Sequence, residues 1–165
     1  MSIKKDYSRS QLFWLVSLRI LIGWYFLYEG LAKLLATNWS SFGYLRDSKG
    51  IFAPFFTSLT EHASLMTIVN FVNMYGLTVI GLCLILGCFV RYASVGAIML
   101  LSLYYLSHPP LLDVNYIIRP EGSYLWVDKN LIMLCAIVVL MLFPTSKQIG
   151  LDRIIYKKKS GKKSK

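Results

Sequence analysis

Apolar runs of membrane-crossing length constrain this chain more than any other feature. A helix needs about 20 apolar residues to cross a bilayer. Runs at 12–35, 67–89, 92–106 and 124–143 approach or reach that length. Only the second is clean. The first carries Arg19, Glu29 and Lys33, and the third is stopped by His108-Pro109-Pro110. The fourth opens with Asp128, Lys129 and Asn130 and ends before Pro144. The chain is 56% hydrophobic and 16% charged, against about 45–50% and about 25% in soluble domains. Because its apolar residues come in runs rather than stripes, lipid explains them better than a greasy soluble core does. The expected fold is all-α, an integral membrane four-helix bundle with a long aromatic-rich first external loop. Residues 1–146 are expected to form the four-span transmembrane domain, and 147–165 a basic cytoplasmic tail, partly disordered.

Charge orients the spans. The net charge is +10, but Lys147, Arg153, Lys157, Lys158, Lys159, Lys162, Lys163 and Lys165 all follow the last apolar run. A basic tail beside a span sits on the anionic cytoplasmic leaflet, so nucleic acid is not an expected partner. Lys4, Lys5 and Arg9 precede the first run, and Arg91 stands in the turn between the second and third. The other two loops are near neutral. The positive-inside rule then places both termini in the cytoplasm. The N-terminus imitates a signal peptide, but Arg19 interrupts the run and no small-residue cleavage site follows, so it reads as a retained first span. In the first external loop, Trp39, Phe42, Tyr44, Phe52, Phe55 and Phe56 surround Gly50 and Pro54. Short interfacial helices are expected there.

Ionisable groups within a span need a partner or a purpose. Glu29 and Lys33 stand four residues apart and can pair. At about 100° per residue, Arg19, Gly23, Phe26, Glu29, Gly30 and Lys33 share one arc of α-helix, which should face the other spans. Gly23 and Gly30 would let a neighbouring helix approach closely. Arg19 lies toward the inner end, while Glu29 and Lys33 lie near the outer end. Asn70 and Asn73, then Tyr104, Tyr105 and His108, then Asp128, Lys129 and Asn130 fall at that same outer level. These residues form either a functional pocket or a structural hydrogen-bond network.

Other chemistries find little support. Cys83, Cys88 and Cys135 fall inside apolar runs and form no CxxC pair, so they are expected to be small buried hydrophobes rather than a thiol–disulfide centre. His62 lies in a loop and His108 precedes two prolines, a poor pair of haem ligands. No ligand spacing supports a metal site from His62, His108 and Asp113. Phosphate loops, Ser-His-Asp arrangements and dinucleotide glycine motifs are absent from the sequence.

Four stretches resemble the DoxX/DoxD-like family of small bacterial membrane proteins: RILIGWYFLYEGLAKL at 19–34, YLRDSKGIFAPFFTSL at 44–59, YGLTVIGLCLILGCFVRYAS at 75–94 and GSYLWVDKNLIML at 122–134. The first is the most specific. The second resembles the subset related to the small membrane subunit of thiosulfate:quinone oxidoreductase. The resemblance implies a four-helix subunit in the bacterial inner (plasma) membrane that passes electrons from a sulfur compound to quinone with a partner subunit. Quinone would be the only redox group, with no haem, flavin or metal. On this reading Lys33 or Lys129 stabilises reduced oxygen and Glu29 or Asp128 exchanges protons. Arg19, Asn70, Asn73, Tyr104, Tyr105, His108 and Asn130 would then line the ligand. One departure stands out: Met133 occupies a position where the family often has glutamate. The alternatives are a non-enzymatic scaffold binding a partner or a second copy of itself, and a small-solute transporter.

Overall fold

The computed structural model describes residues 7–110, 116–117 and 125–154. Every element among them is a helix, and three helices are long and apolar enough to cross a membrane. α1 (Arg9–Leu35) starts at a capping box. The Ser8 hydroxyl accepts from Gln11 N–H at 3.2 Å, and the Gln11 side chain accepts from Ser8 N–H at 3.0 Å. α2 (Phe42–Arg46) and α3 (Ala53–Leu59) are the short helices expected in the first loop. They fold against the start of the next helix, where Leu45, Phe56 and Met66 make a small apolar core of their own.

The second long helix is not uniform. α4 (Ala63–Phe71) widens into a π segment (Val72–Gly76) and resumes as α5 (Leu77–Leu86). α6 (Val90–Ser107) ends at His108, as the double proline requires. α7 (Lys129–Leu142) is capped by Asp128, whose carboxylate accepts from Leu131 N–H at 2.8 Å. The fourth helix therefore starts five residues later than the apolar run. Its 14 residues span about 21 Å at about 1.5 Å per residue, short of a hydrocarbon core of about 30 Å.

α1 lies against α5, α5 against α6, and α6 against α7, with α7 touching α1. One apolar core runs through all four, including Phe26, Leu84, Ala97 and Ile137, each with no solvent exposure. Glycine sets the spacing of α1 and α5, as expected of Gly23 and Gly30. A Cβ on Gly23 would meet Ile85 at 2.9 Å, one on Gly30 would strike the Thr78 backbone, and one on Gly81 would strike that of Leu27. The outward faces remain apolar. On α1 these include Trp14, Leu21, Trp24 and Tyr28, each at least 60% exposed. Such surfaces suit contact with lipid.

Past α7 the chain turns back. Leu151 N–H donates to Leu86 O (3.1 Å) and Asp152 N–H to Gly87 O (3.0 Å). The Asp152 carboxylate accepts from Phe89 N–H at 2.8 Å, capping α6. Thus 145–154, partly assigned from sequence to a basic tail, docks on the α5–α6 turn. Residues 155–165 lie outside those described.

Candidate functional site

The residues expected to form one outer zone do converge at the end of the packing where α1 and α6 finish and α7 begins. Most are occupied with one another. Lys33 Nζ lies 2.7 Å from Glu29 Oε2 and 5.7 Å from the centre of the Trp39 ring. The side chains are 18% and 38% exposed respectively. The expected pair forms, but at the rim rather than in a dry interior, because the arc that buries Phe26 and Gly30 carries Glu29 to the edge of the α1–α5 contact.

Asn73 sits in the π segment, a distortion that re-aims side chains. It accepts from the Tyr104 hydroxyl and donates to Val69 O at 3.0 Å. Asn70 accepts from Ser41 N–H (2.9 Å) and the Ser41 hydroxyl (2.7 Å), tying the first loop to α4. The Tyr105 hydroxyl donates to Trp126 O at 2.9 Å. Asp128 is fully buried, and besides its cap it accepts from Asn130 Nδ2 at 2.8 Å. Lys129 Nζ stands 4.8 Å over the Tyr25 ring. Arg19 does not join this zone. Only 2% exposed at the opposite end, it donates from Nη1 to Thr145 Oγ1 and from Nη2 to Ile149 O, both at 2.9 Å.

His108 is the centre of a cluster that the sequence did not reveal. It caps the C-terminus of α6, donating its backbone N–H to Tyr104 O, and is 1% exposed. Its ring stacks on Tyr44 at 3.9 Å between centroids and lies 4.8 Å from Tyr116. Nδ1 is 3.1 Å from the Ser107 hydroxyl, which in turn bonds that of Ser48. Nε2 has no hydrogen-bond partner among the described residues and lies 3.9 Å from Asp47 Oδ2. Asp47, 5% exposed, accepts from Ile117 N–H at 2.7 Å and has Lys49 Nζ 3.9 Å away. Burial pushes His108 down to about 4, overriding the pull of Asp47, so the ring is neutral at pH 7. Tyr44 is pushed well above its ordinary value, first by burial and then by the negative charge of Asp128. Tyr116 also rises, mainly by burial.

A neutral imidazole whose Nε2 has no partner among the described residues can donate from Nε2–H to a ligand oxygen or, in the other tautomer, accept a proton there. Asp47, Tyr44 and Tyr116 were missed because nothing local marks them. Tyr44 and Asp47 belong to the first loop and Tyr116 to the third, and only the packing brings both onto the end of α6. Among the described residues no group of three or more His, Cys, Asp or Glu is arranged to hold a metal ion. Asp113 lies outside them.

The DoxX family model matches residues 14–109, from the first turns of α1 through the whole of α6 and His108. The chain belongs to the DoxX family. No curated protein or solved structure matches it. Family and apolar helices together make it a membrane protein. Met133, at the position where the resemblance suggested glutamate, packs against the apolar core, where a carboxylate would need a partner of its own.

Proposed function

We propose that this DoxX protein crosses the bacterial inner membrane four times with both termini in the cytoplasm. It serves as the membrane subunit of a quinone-linked oxidoreductase system, paired with a subunit that oxidises a sulfur compound. One observation carries the site: the uncommitted Nε2 of a neutral, fully buried His108 facing Asp47 beneath two tyrosines. An orphaned buried nitrogen is the kind of group that a quinone oxygen satisfies. A bound quinone supplies two-electron, two-proton chemistry. His108 holds or moves a proton at Nε2, Asp47 stabilises the imidazolium, and Ser107 orients the ring through Nδ1. Glu29 and Lys33, at the rim, exchange that proton with the outer surface. Asp128 is better read as a helix cap than a proton carrier, since both its oxygens are engaged.

The test is purification in native lipid followed by mass spectrometry. Quinone should accompany the wild type and be depleted in His108→Gln, with the two proteins equally stable at pH 7. Reporter fusions at Ser48 should report the outside and fusions after Lys165 the inside. An external C-terminus would remove the four-span topology. A scaffold is the second reading, favoured by the number of polar side chains spent on internal bonds. It predicts a stoichiometric partner protein and no quinone.

A further inference from the structure

The end opposite His108 holds a second chemical feature that the proposed quinone site does not use. α5 finishes on a Schellman turn. Gly87 adopts φ 66°, and Cys88 N–H donates to Cys83 O at 3.0 Å, closing a six-residue ring. This geometry draws the side chains three positions before the helix end and just beyond it into contact. Here those two side chains are both cysteine. Both are free and partly exposed. The backbone ring holds the two residues side by side at the helix end, the proximity that a bond between them requires. Cys135 lies on α7 and is exposed.

We propose that Cys83 and Cys88 form a dithiol site that exchanges reversibly with low-molecular-weight disulfides. Cys88, outside the helix, gives up its proton and attacks one sulfur of the incoming disulfide. That S–S bond breaks and one thiol leaves, taking up a proton. Cys83 then loses its proton and attacks the Cys88 sulfur, expelling the second thiol. Two protein thiols are oxidised by two electrons, and one disulfide is reduced to two thiols. The turn so closed is the one on which Leu151 and Asp152 dock and against which Arg19 packs. The redox state therefore stiffens the platform that holds the C-terminal segment.

The experiment uses the full chain in native-lipid discs, equilibrated with defined ratios of oxidised to reduced glutathione, then acid-quenched and unfolded in detergent for thiol counting and intact mass. Closure should lower the mass by about 2 Da, the two hydrogens lost. The labelled thiols should fall from three to one at a single midpoint, with Cys135 still labelled and dithiothreitol restoring all three. Cys83→Ser should instead retain a glutathione adduct on Cys88. Stable glutathione adducts on the wild-type pair, bonds between chains, or Cys83 and Cys88 left unreacted while Cys135 reacts would each overturn the proposal, leaving the two thiols as the apolar contact of a helix end.

Discussion

The two ends of the helix packing each bury an ionisable side chain, and they treat it differently. Arg19 is 2% exposed and His108 1%. Arg19 spends both terminal nitrogens on Thr145 and Ile149, neutral acceptors brought to it by the returning C-terminal segment. His108 is boxed by aromatic rings, stays neutral, and keeps Nε2 uncommitted in front of a carboxylate. Burial alone therefore does not mark a site. Arg19 Nε also has no partner among the described residues; what separates the two ends is that the open nitrogen of His108 faces a carboxylate and can change protonation state, whereas a guanidinium stays charged.

The largest effect should come from breaking the Arg19 end. Arg19→Ala orphans the Thr145 hydroxyl and the Ile149 carbonyl and leaves a large void, a loss of about 3–5 kcal/mol. Unfolding by detergent titration in mixed micelles measures it. A loss under about 1 kcal/mol would make Arg19 as uncommitted as His108 and dissolve the contrast.

The His108 end should be visible as pH dependence. Its folded value of about 4 lies below the ordinary 6.5, so folding favours the neutral ring. This contribution is complete above about pH 6.5. It is lost as pH falls toward 4, because the unfolded chain takes up a proton that the folded one refuses, at about 1.4 kcal/mol per pH unit. His108→Gln should flatten that slope. A slope that survives the substitution belongs to another group.

A smaller effect sharpens the role of the docked segment. Asp152→Ala removes the carboxylate that caps α6 at Phe89 and should cost about 1–2 kcal/mol. Amide exchange at Phe89 and Val90 should rise with it. Unchanged exchange there would mean that the segment does not hold the turn.

The smallest stability change belongs to the Glu29–Lys33 pair. With Glu29 38% exposed, each single substitution should cost under about 1 kcal/mol. Glu29→Gln with Lys33→Met should be stable to within a few tenths. If the pair serves the site, the double variant also loses quinone while keeping its fold. Retained quinone would confine the chemistry to His108 and Asp47.

Much of the fold was legible in the sequence because lipid imposes simple rules. Run length marked the helices, Pro109 and Pro144 their ends, and the register of Arg19, Gly23 and Gly30 the face that α1 turns to α5. The α7 start was misplaced because apolar residues at 125–127 do not form a helix before the Asp128 cap. The convergence of Asn73, Tyr104, His108 and Asp128 at one level followed from depth arithmetic at a fixed rise per residue. Their hydrogen-bond partners did not, since those come from loops.

Sequence by itself determined that the chain is a helical membrane protein, which faces of α1 are buried and exposed, and which polar residues share a level. These follow from periodicity and from the cost of polar groups in hydrocarbon. Only the tertiary structure decided which of those residues are spent. It set Asp47 before His108 across 61 positions of sequence and Thr145 against Arg19 across 126. It also put Cys83 beside Cys88 through a left-handed glycine. Such pairings depend on how loops close over helix ends, where no repeat or run length constrains the chain, so nothing local in the sequence reports them.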